Sequence, residues 1–210
     1  MSKIIVALDF NNFDDAKKII DSTKDVLEYY KVGLESYISC GEKLINYLKE
    51  NDKKIFLDLK FHDIPNTVSS AAVASLKYGV DILNMHAQGG VEMMKSTVDA
   101  VSEYCSKYGV KKPLLIAVTL LTSLDNDYLK SYKIGFDSTD EYVVELAKKT
   151  RSAGLDGVVS SPKETVLIKK ELGKEFITIT PGIRPAYEQL GDQKRVMTPR
   201  EAKMVGTDFM

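Results

Sequence analysis

The chain has 210 residues, of which 44% are hydrophobic and 28% are charged, and its formal net charge is −1. This length and composition favour a single α/β domain that spans residues 1–210 around one sizeable core. The balanced charge gives no electrostatic case for nucleic acid or membrane surfaces as partners, and no apolar run approaches the ~20 residues that span a bilayer.

The N-terminus and the cysteines bear on the cellular compartment. The chain opens with a strand-like run, Ile4–Asp9, which lacks the length and the cleavage site of a signal peptide. Cys40 and Cys105 stand far apart, in no paired spacing. We therefore expect a reduced, cytoplasmic protein with no disulfide framework and no zinc site.

Short β-branched or apolar runs alternate with amphipathic helical stretches along the whole chain, which is typical of a parallel sheet built from βαβ units. The predicted strands are Ile4–Asp9, Tyr30–Leu34, Lys54–Lys60, Ile82–His86, Leu114–Thr119, Gly157–Ser161 and Phe176–Pro181. The predicted helices are Phe13–Thr23, Cys40–Glu50, Thr67–Tyr78, Val91–Tyr108, Glu141–Ala153 and Lys163–Leu172.

The position of polar residues decides between an open sheet and a closed barrel. They fall at or just beyond the carboxyl ends of the predicted strands, where a barrel keeps its active site, whereas an open sheet gathers them near one switch point. These residues are Asp9, Asp58, Lys60, His86, Thr119 and Pro181. Thr207–Met210 begins an eighth strand. We predict a (β/α)8 TIM barrel whose eighth strand is incomplete in the chain as given.

The stretch "DLKFHD" places Asp58, Lys60 and Asp63 directly after a buried-looking run. Alternate residues of a strand share a face, so Asp58 and Lys60 are expected to pair. A structural ion pair would explain those two, but the third charge favours a functional site. Two carboxylates keep an ammonium protonated, which suits a proton donor and argues against a Schiff-base lysine.

Two further regions carry candidate site residues. Lys31 lies inside a short apolar strand; it is either a snorkelling surface lysine or, with Asp9, part of an alternating array of acids and lysines. The long polar stretch Thr180–Val196 is either a solvated loop or a lid that offers Arg184 to a phosphate and Gln193 to a polar group. Asp58 and Asp63 could hold Mg²⁺, but Lys60 between them already supplies a cation.

These stretches resemble the orotidine 5′-monophosphate decarboxylase family, in the family's order and over almost the whole chain. The resembling motifs are "ALDF" (7–10), "KVG" (31–33), "DLKFHDIPNT" (58–67), "HAQGG" (86–90), "AVTLLTS" (117–123) and "TPGIRP…GDQKRV" (180–196). The resemblance implies decarboxylation of orotidine 5′-monophosphate to UMP, without a metal or organic cofactor.

The resemblance also implies roles for individual residues. Lys60 would donate a proton to C6 of the pyrimidine, beside Asp58, with Lys31 in the charged array and near the ribose. Asp63 and Thr67 would reach the active site of a second subunit, which makes the protein a homodimer. The remaining contacts would be Asp9 to the ribose, Thr122, Pro181 and Gln193 at the base, and Arg184 at the phosphate.

One departure from the family and two rival functions remain open. The family carries a Gly-Arg pair in the eighth strand, and the chain as given ends at Met210, before that pair. One rival is a Mg²⁺-dependent sugar-phosphate decarboxylase or aldolase of the same superfamily, which EDTA would inactivate. The other is a non-catalytic nucleotide-binding barrel, which would bind UMP without turnover.

Overall fold

A computed structural model describes residues 2–184 and 197–210 of the chain. Seven parallel strands lie in sequence order in one sheet, each hydrogen-bonded to the next. The strands are β1 (Ile5–Ala7), β2 (Tyr29–Gly33), β3 (Lys54–Phe61), β4 (Ile82–His86), β5 (Leu114–Val118), β6 (Gly157–Val159) and β7 (Ile177–Ile179).

Helices connect the strands, because parallel neighbours need a crossover connection between the end of one strand and the start of the next. They are α1 (Phe13–Thr23), α2 (Leu34–Glu50), α3 (Pro65–Ser75), α4 (Gly90–Tyr108), α5 (Asn126–Ser131), α6 (Thr139–Ser152), α7 (Pro162–Leu172) and α8 (Pro199–Met204). Short 3₁₀ turns at Leu76–Tyr78 and Ala87–Gly89 flank β4.

The last residues of the chain join the two edges of the sheet. Phe209 forms parallel bridges both with Ile179 at the end of β7 and with Lys3 beside β1. Met210 N–H donates to the Lys3 carbonyl at 2.9 Å, and Thr180 N–H donates to the Phe209 carbonyl at 2.9 Å. The start of the predicted eighth strand thus lies between β7 and β1, which confirms the barrel architecture.

Two apolar layers follow from the alternation of side chains along the strands. One set, which includes Leu57, Leu83 and Leu115, packs with the helices in the main core. The alternate set fills the inside of the barrel towards the amino ends of the strands. Its buried members are Tyr29, Phe56, Ile82, Ile116, Ile179 and Phe209. The charged residues of β3 lie beyond this apolar layer, at the carboxyl end of the strand.

Most element boundaries agree with the sequence within a few residues, but α2 and two short helices differ. Helix α2 begins at Leu34 rather than Cys40, and Cys40 itself has a non-helical φ of −150°. The first turns were missed because Ile38 is 81% exposed, so the segment lacks an amphipathic pattern. Helices α5 and α8 were not predicted, since each has six residues.

Within residues 2–184 and 197–210, none of the helices combines the length and the apolar character needed to cross a bilayer.

Candidate active site

Four charged side chains form a continuous row across the carboxyl ends of β1, β2 and β3. Lys31 Nζ lies 2.7 Å from Asp9 Oδ1 and 3.5 Å from Asp58 Oδ2. Lys60 Nζ lies 2.7 Å from Asp58 Oδ1. The row therefore alternates acid and base in the order Asp9, Lys31, Asp58, Lys60, which agrees with the array that was one of the two interpretations of Lys31.

Burial differs along this row. The Asp58 side chain is 10% exposed, whereas that of Asp9 is 57% exposed. A buried carboxylate is costly unless it is paired, and Asp58 has an ammonium group on each oxygen. The inner end of the row is thus a preorganised charged cluster, and the outer end is open to a polar ligand.

Local backbone geometry aims Lys60 at this cluster. The register of β3 against β4 shifts between Leu57 and Phe61, and Lys60 has a left-handed φ of 51°. A positive φ is uncommon for a residue other than glycine and marks a position that its surroundings hold in place. Simple strand alternation therefore predicted the right pair, Asp58 and Lys60, but not the irregular strand that forms it.

A cavity of about 630 Å³ opens at this end of the barrel. Seven of the predicted site residues line it: Asp9, Lys31, Asp58, Lys60, Thr122, Pro181 and Arg184. Apolar side chains, among them Val118, Leu120 and Ile183, form much of the remaining wall. An apolar pocket with a few convergent charged groups is typical of a small-molecule site.

The loops after β5 and β7 provide the wall opposite the charged row. Thr122 is buried at the cavity, and Arg184 is half-buried beside it, with Nη1 donating to the Ile183 carbonyl at 3.0 Å. Backbone pairing of Ile183 with Met197 holds the base of the β7 loop. Gln193 lies outside the described residues.

Asp63 and Thr67 stand apart from the cavity of their own chain. Both are exposed, and Asp63 Oδ1 accepts a hydrogen bond from Ile64 N–H at 2.7 Å. Within the described residues, no ion pair joins Asp63 to Lys60. A role for Asp63 and Thr67 at an active site therefore stays a prediction that requires a second subunit.

The two histidines lie beside the charged row, with ring centroids 5.3 Å apart. Burial lowers the pKa of His86, and the neighbouring His62 and Lys60 lower it further. Because His86 Nδ1 is buried with no hydrogen-bond partner among the described residues, the neutral ring fits this position. His86 thus adds no positive charge that would compete with Lys60.

Gly33 is a site residue whose role the sequence alone does not reveal. It follows Lys31 by two positions, and a Cβ at Gly33 would lie 2.9 Å from Lys31 Nζ and 3.1 Å from Asp9 Oδ1. Its φ of −91° is open to any residue, so the constraint is steric rather than conformational. The "KVG" spacing was the available signal, since residues two apart on a strand share a face.

We expect Gly33→Ala to impair catalysis without impairing folding. The new methyl group would displace the Lys31 ammonium. A displacement of about 1 Å in an active site can lower turnover by about 10- to 100-fold. The free energy of unfolding should change by less than about 1 kcal/mol, because the backbone conformation suits alanine. Steady-state kinetics and urea unfolding measure the two effects. Gly135→Ala is the control, since nothing lies within 4 Å of its Cβ position.

Among the described residues, no group of three or more His, Cys, Asp or Glu side chains is arranged to hold a metal ion.

A parallel β/α barrel with a charged cavity at the carboxyl ends of its strands has the architecture of the enzymes built on this fold. The sequence model of the orotidine 5′-phosphate decarboxylase / HUMPS family matches residues 2–210. The chain therefore belongs to the orotidine 5′-phosphate decarboxylase / HUMPS family.

Individual relatives agree with this assignment. A protein from Moorella thermoacetica named orotidine 5′-phosphate decarboxylase is 44% identical over 209 residues, which cover 99% of this chain and 82% of the relative. A relative of the same name from Pseudoalteromonas atlantica is 45% identical, with 99% and 88% covered. The crystal structure of orotidine 5′-phosphate decarboxylase from Lactobacillus acidophilus matches with a TM-score of 0.84 and 38% identity, with 100% of this chain and 88% of that chain covered.

Proposed function

We propose that this protein is a carboxy-lyase that converts orotidine 5′-monophosphate to UMP, the final step of de novo pyrimidine biosynthesis, without a cofactor. The observation that carries the proposal is the alternating row of Asp9, Lys31, Asp58 and Lys60 at the cavity. Its composition matches the chemical demand of the reaction, and the family assignment supports the substrate.

The reaction requires a positive charge and a proton at one point. When the bond from C6 to the carboxylate breaks, CO2 leaves and the electron pair stays on C6, in the plane of the ring, where no π system delocalises it. The Lys60 ammonium stabilises that charge electrostatically and then transfers a proton to C6. Solvent reprotonates the Lys60 amine, and the balance is one proton taken up and one CO2 released.

Asp58 has two roles in this proposal. It holds the Lys60 ammonium at 2.7 Å, and it lies beside the position of the substrate carboxylate. Repulsion between the two carboxylates is relieved when CO2 departs, so the contact favours the transition state over the bound substrate. Lys31 limits this repulsion by sharing the charge of Asp58 at 3.5 Å.

The binding contacts are proposed from the cavity wall and the family. Asp9 and Lys31, at the outer end of the row, would bind the ribose hydroxyls. Thr122, Pro181 and Gln193 would contact the pyrimidine, and Arg184 would bind the phosphate. The phosphate lies far from the reacting bond, so this binding energy can be used to orient the base against Lys60.

We further propose a homodimer in which Asp63 and Thr67 complete the partner's site. Exposed apolar side chains occur on the same rim of the barrel: Leu34, Ile38, Ile64 and Val91 are 53%, 81%, 67% and 38% exposed. In the proposed dimer, the partner would cover these exposed apolar side chains. The reduced cysteines Cys40 and Cys105 suit a cytoplasmic location.

Mixing two inactive variants tests the shared site. We expect Lys60→Ala and Asp63→Asn each to be inactive as homodimers, whereas their mixture regains activity. A mixed dimer has one site with both changes and one with neither, so about a quarter of all sites should be intact after random exchange of subunits. The control is a mixture of Asp52→Asn with Lys60→Ala. Its activity, divided by the number of sites that keep Lys60, should equal that of the wild type. No gain for the Asp63→Asn mixture would contradict a shared site.

An absorbance assay tests the function itself. Loss of the orotate absorbance, with release of CO2 and formation of UMP, should proceed at the same rate with and without EDTA. A rate abolished by EDTA would instead indicate the Mg²⁺-dependent sugar-phosphate branch of the superfamily. Binding of UMP without any turnover would indicate a non-catalytic nucleotide-binding barrel.

A further inference from the structure

Asn84 is a fully buried polar residue on β4 that contacts two members of the charged row. Its side-chain Oδ1 accepts a hydrogen bond from the Lys60 backbone N–H at 2.9 Å. Its Nδ2 donates to Asp58 Oδ1 at 2.6 Å. Asn84 has 0% exposure, so neither amide atom has access to solvent.

The register of the two strands explains why this contact exists. Leu57 pairs with Leu83 and Phe61 pairs with Met85, so the β3 segment between those pairs has three residues and the β4 segment has one, which is Asn84. Such a bulge leaves backbone groups without their usual strand partner. The side-chain carbonyl of Asn84 replaces that partner for the backbone N–H of Lys60, whose φ is 51°.

The amide also orients the Asp58 carboxylate. Asp58 Oδ1 receives both Asn84 Nδ2 and Lys60 Nζ, at 2.6 Å and 2.7 Å. The other oxygen is left to face Lys31. One asparagine therefore fixes the backbone of the lysine and the carboxylate with which that lysine pairs, because a side-chain amide carries its donor and its acceptor on separate atoms.

We propose that Asn84 is a positioning residue for the reaction, holding the irregular turn of β3 that aims the Lys60 ammonium at the reacting carbon. This inference rests on the proposed function. Asn84 acts through Asp58 and Lys60 and does not touch the substrate. It belongs to none of the motifs by which the sequence resembles its family, and its position opposite the bulge becomes evident only from the pairing of the strands.

Asn84→Asp separates positioning from simple packing. The variant keeps the acceptor for Lys60 N–H and the volume, but it replaces the donor to Asp58 with a carboxylate. We expect kcat to fall by about 100-fold at about pH 8. As the pH is lowered to about 6, the kcat ratio of variant to wild type should recover by about 10-fold, because the introduced carboxyl group, once protonated, can donate to Asp58 again.

The ratio to wild type is used because other titratable groups surround Asn84 and are common to both proteins. Asp58 and Lys60 face Asn84 from β3, and Lys31 and Asp9 continue the charged row beyond Asp58. His86 lies two residues after Asn84 on β4, and its ring is next to that of His62. On β5, the residue paired with Asn84 is Ile116, which carries no charge. A defect of packing alone would lower stability by the same amount at each pH and would not give a recovering ratio.

The reactivity of Lys60 in the variant Asn84→Ala provides a second test. Acetylation of Lys60, followed by mass spectrometry, should be several-fold faster in Asn84→Ala than in the wild type, because the released amine is more exposed and less strongly paired. This readout needs no turnover, so it distinguishes failure of this inference from failure of the proposed function.

Asn51→Asp is the matched control, since both amide atoms of Asn51 are also hydrogen-bonded, between α2 and α1. The inference would be overturned if Lys60 of Asn84→Ala were acetylated at the wild-type rate. It would also be overturned if the kcat ratio of Asn84→Asp to wild type did not change with pH.

Discussion

Lys60→Ala is expected to lower kcat/KM for orotidine 5′-monophosphate by about 10⁴-fold or more. The variant loses both the proton donor and the positive charge closest to C6, and these two effects act on the same transition state. UMP should still bind, because the proposed contacts to the ribose, base and phosphate come from other residues. Absorbance kinetics and calorimetric titration with UMP measure the two quantities.

The control for this variant is a lysine on the same strand. Lys54 begins β3 at the opposite end of the barrel, where its Nζ lies 3.4 Å from Glu28 Oε2. Lys54→Ala should keep wild-type kinetics while removing an equal charge and a similar side chain. If Lys60→Ala kept even a tenth of the wild-type activity, the proton donor of the proposed mechanism would have to be another group.

Local patterns in the sequence predict some of the contacts that the structure shows at the candidate site. Alternation along a strand predicts that Asp58 pairs with Lys60, and an array with Asp9 was one of the two interpretations of Lys31. Both predictions use only residues within strands and the order of parallel neighbours. The geometry of the Asp58–Lys60 pair depends in addition on the irregular segment of β3, which alternation does not predict.

Features that depend on contacts between distant strands were not predictable in this way. The left-handed backbone at Lys60 is stabilised by Asn84, which lies 24 positions away on another strand. The demand for glycine at position 33 comes from Asp9 and the Lys31 ammonium, which converge only in the folded barrel. The period of two along β2 places Gly33 and Lys31 on one face, but no periodicity of the sequence encodes the contact with Asp9 or the contact with Asn84.

Helix α8 was predictable in principle, because its start is a local signal. Thr198 accepts from Glu201 N–H, and the Glu201 carboxylate accepts from Thr198 N–H, which together form a capping box with Pro199 in the first turn. The stretch "TPRE" carries this pattern in the sequence. A reading based on apolar periodicity misses it, since six residues are too few to show a face.

Asp58→Asn is expected to lower kcat by about 100- to 1,000-fold while leaving the affinity for substrate unchanged or higher. The amide keeps the shape of the side chain but removes the charge that holds the Lys60 ammonium. It also removes the repulsion that the substrate carboxylate would meet. A fall in KM together with the fall in kcat would distinguish these consequences from a loss of folded protein, which lowers the apparent kcat and leaves KM unchanged.

The matched control is Asp81→Asn, at the opposite end of the barrel. Asp81 pairs with Lys111 at 3.0 Å and accepts from the Ile55 N–H, so it resembles Asp58 in charge and pairing but lies outside the cavity. A loss of stability in both variants with a loss of kcat in Asp58→Asn alone would support the mechanism. A rise in KM with unchanged kcat for Asp58→Asn would instead mean that this carboxylate helps only to bind substrate. In that case, the repulsion between carboxylates could not contribute to the rate, because an interaction that is equally strong in the bound substrate and the transition state does not change kcat.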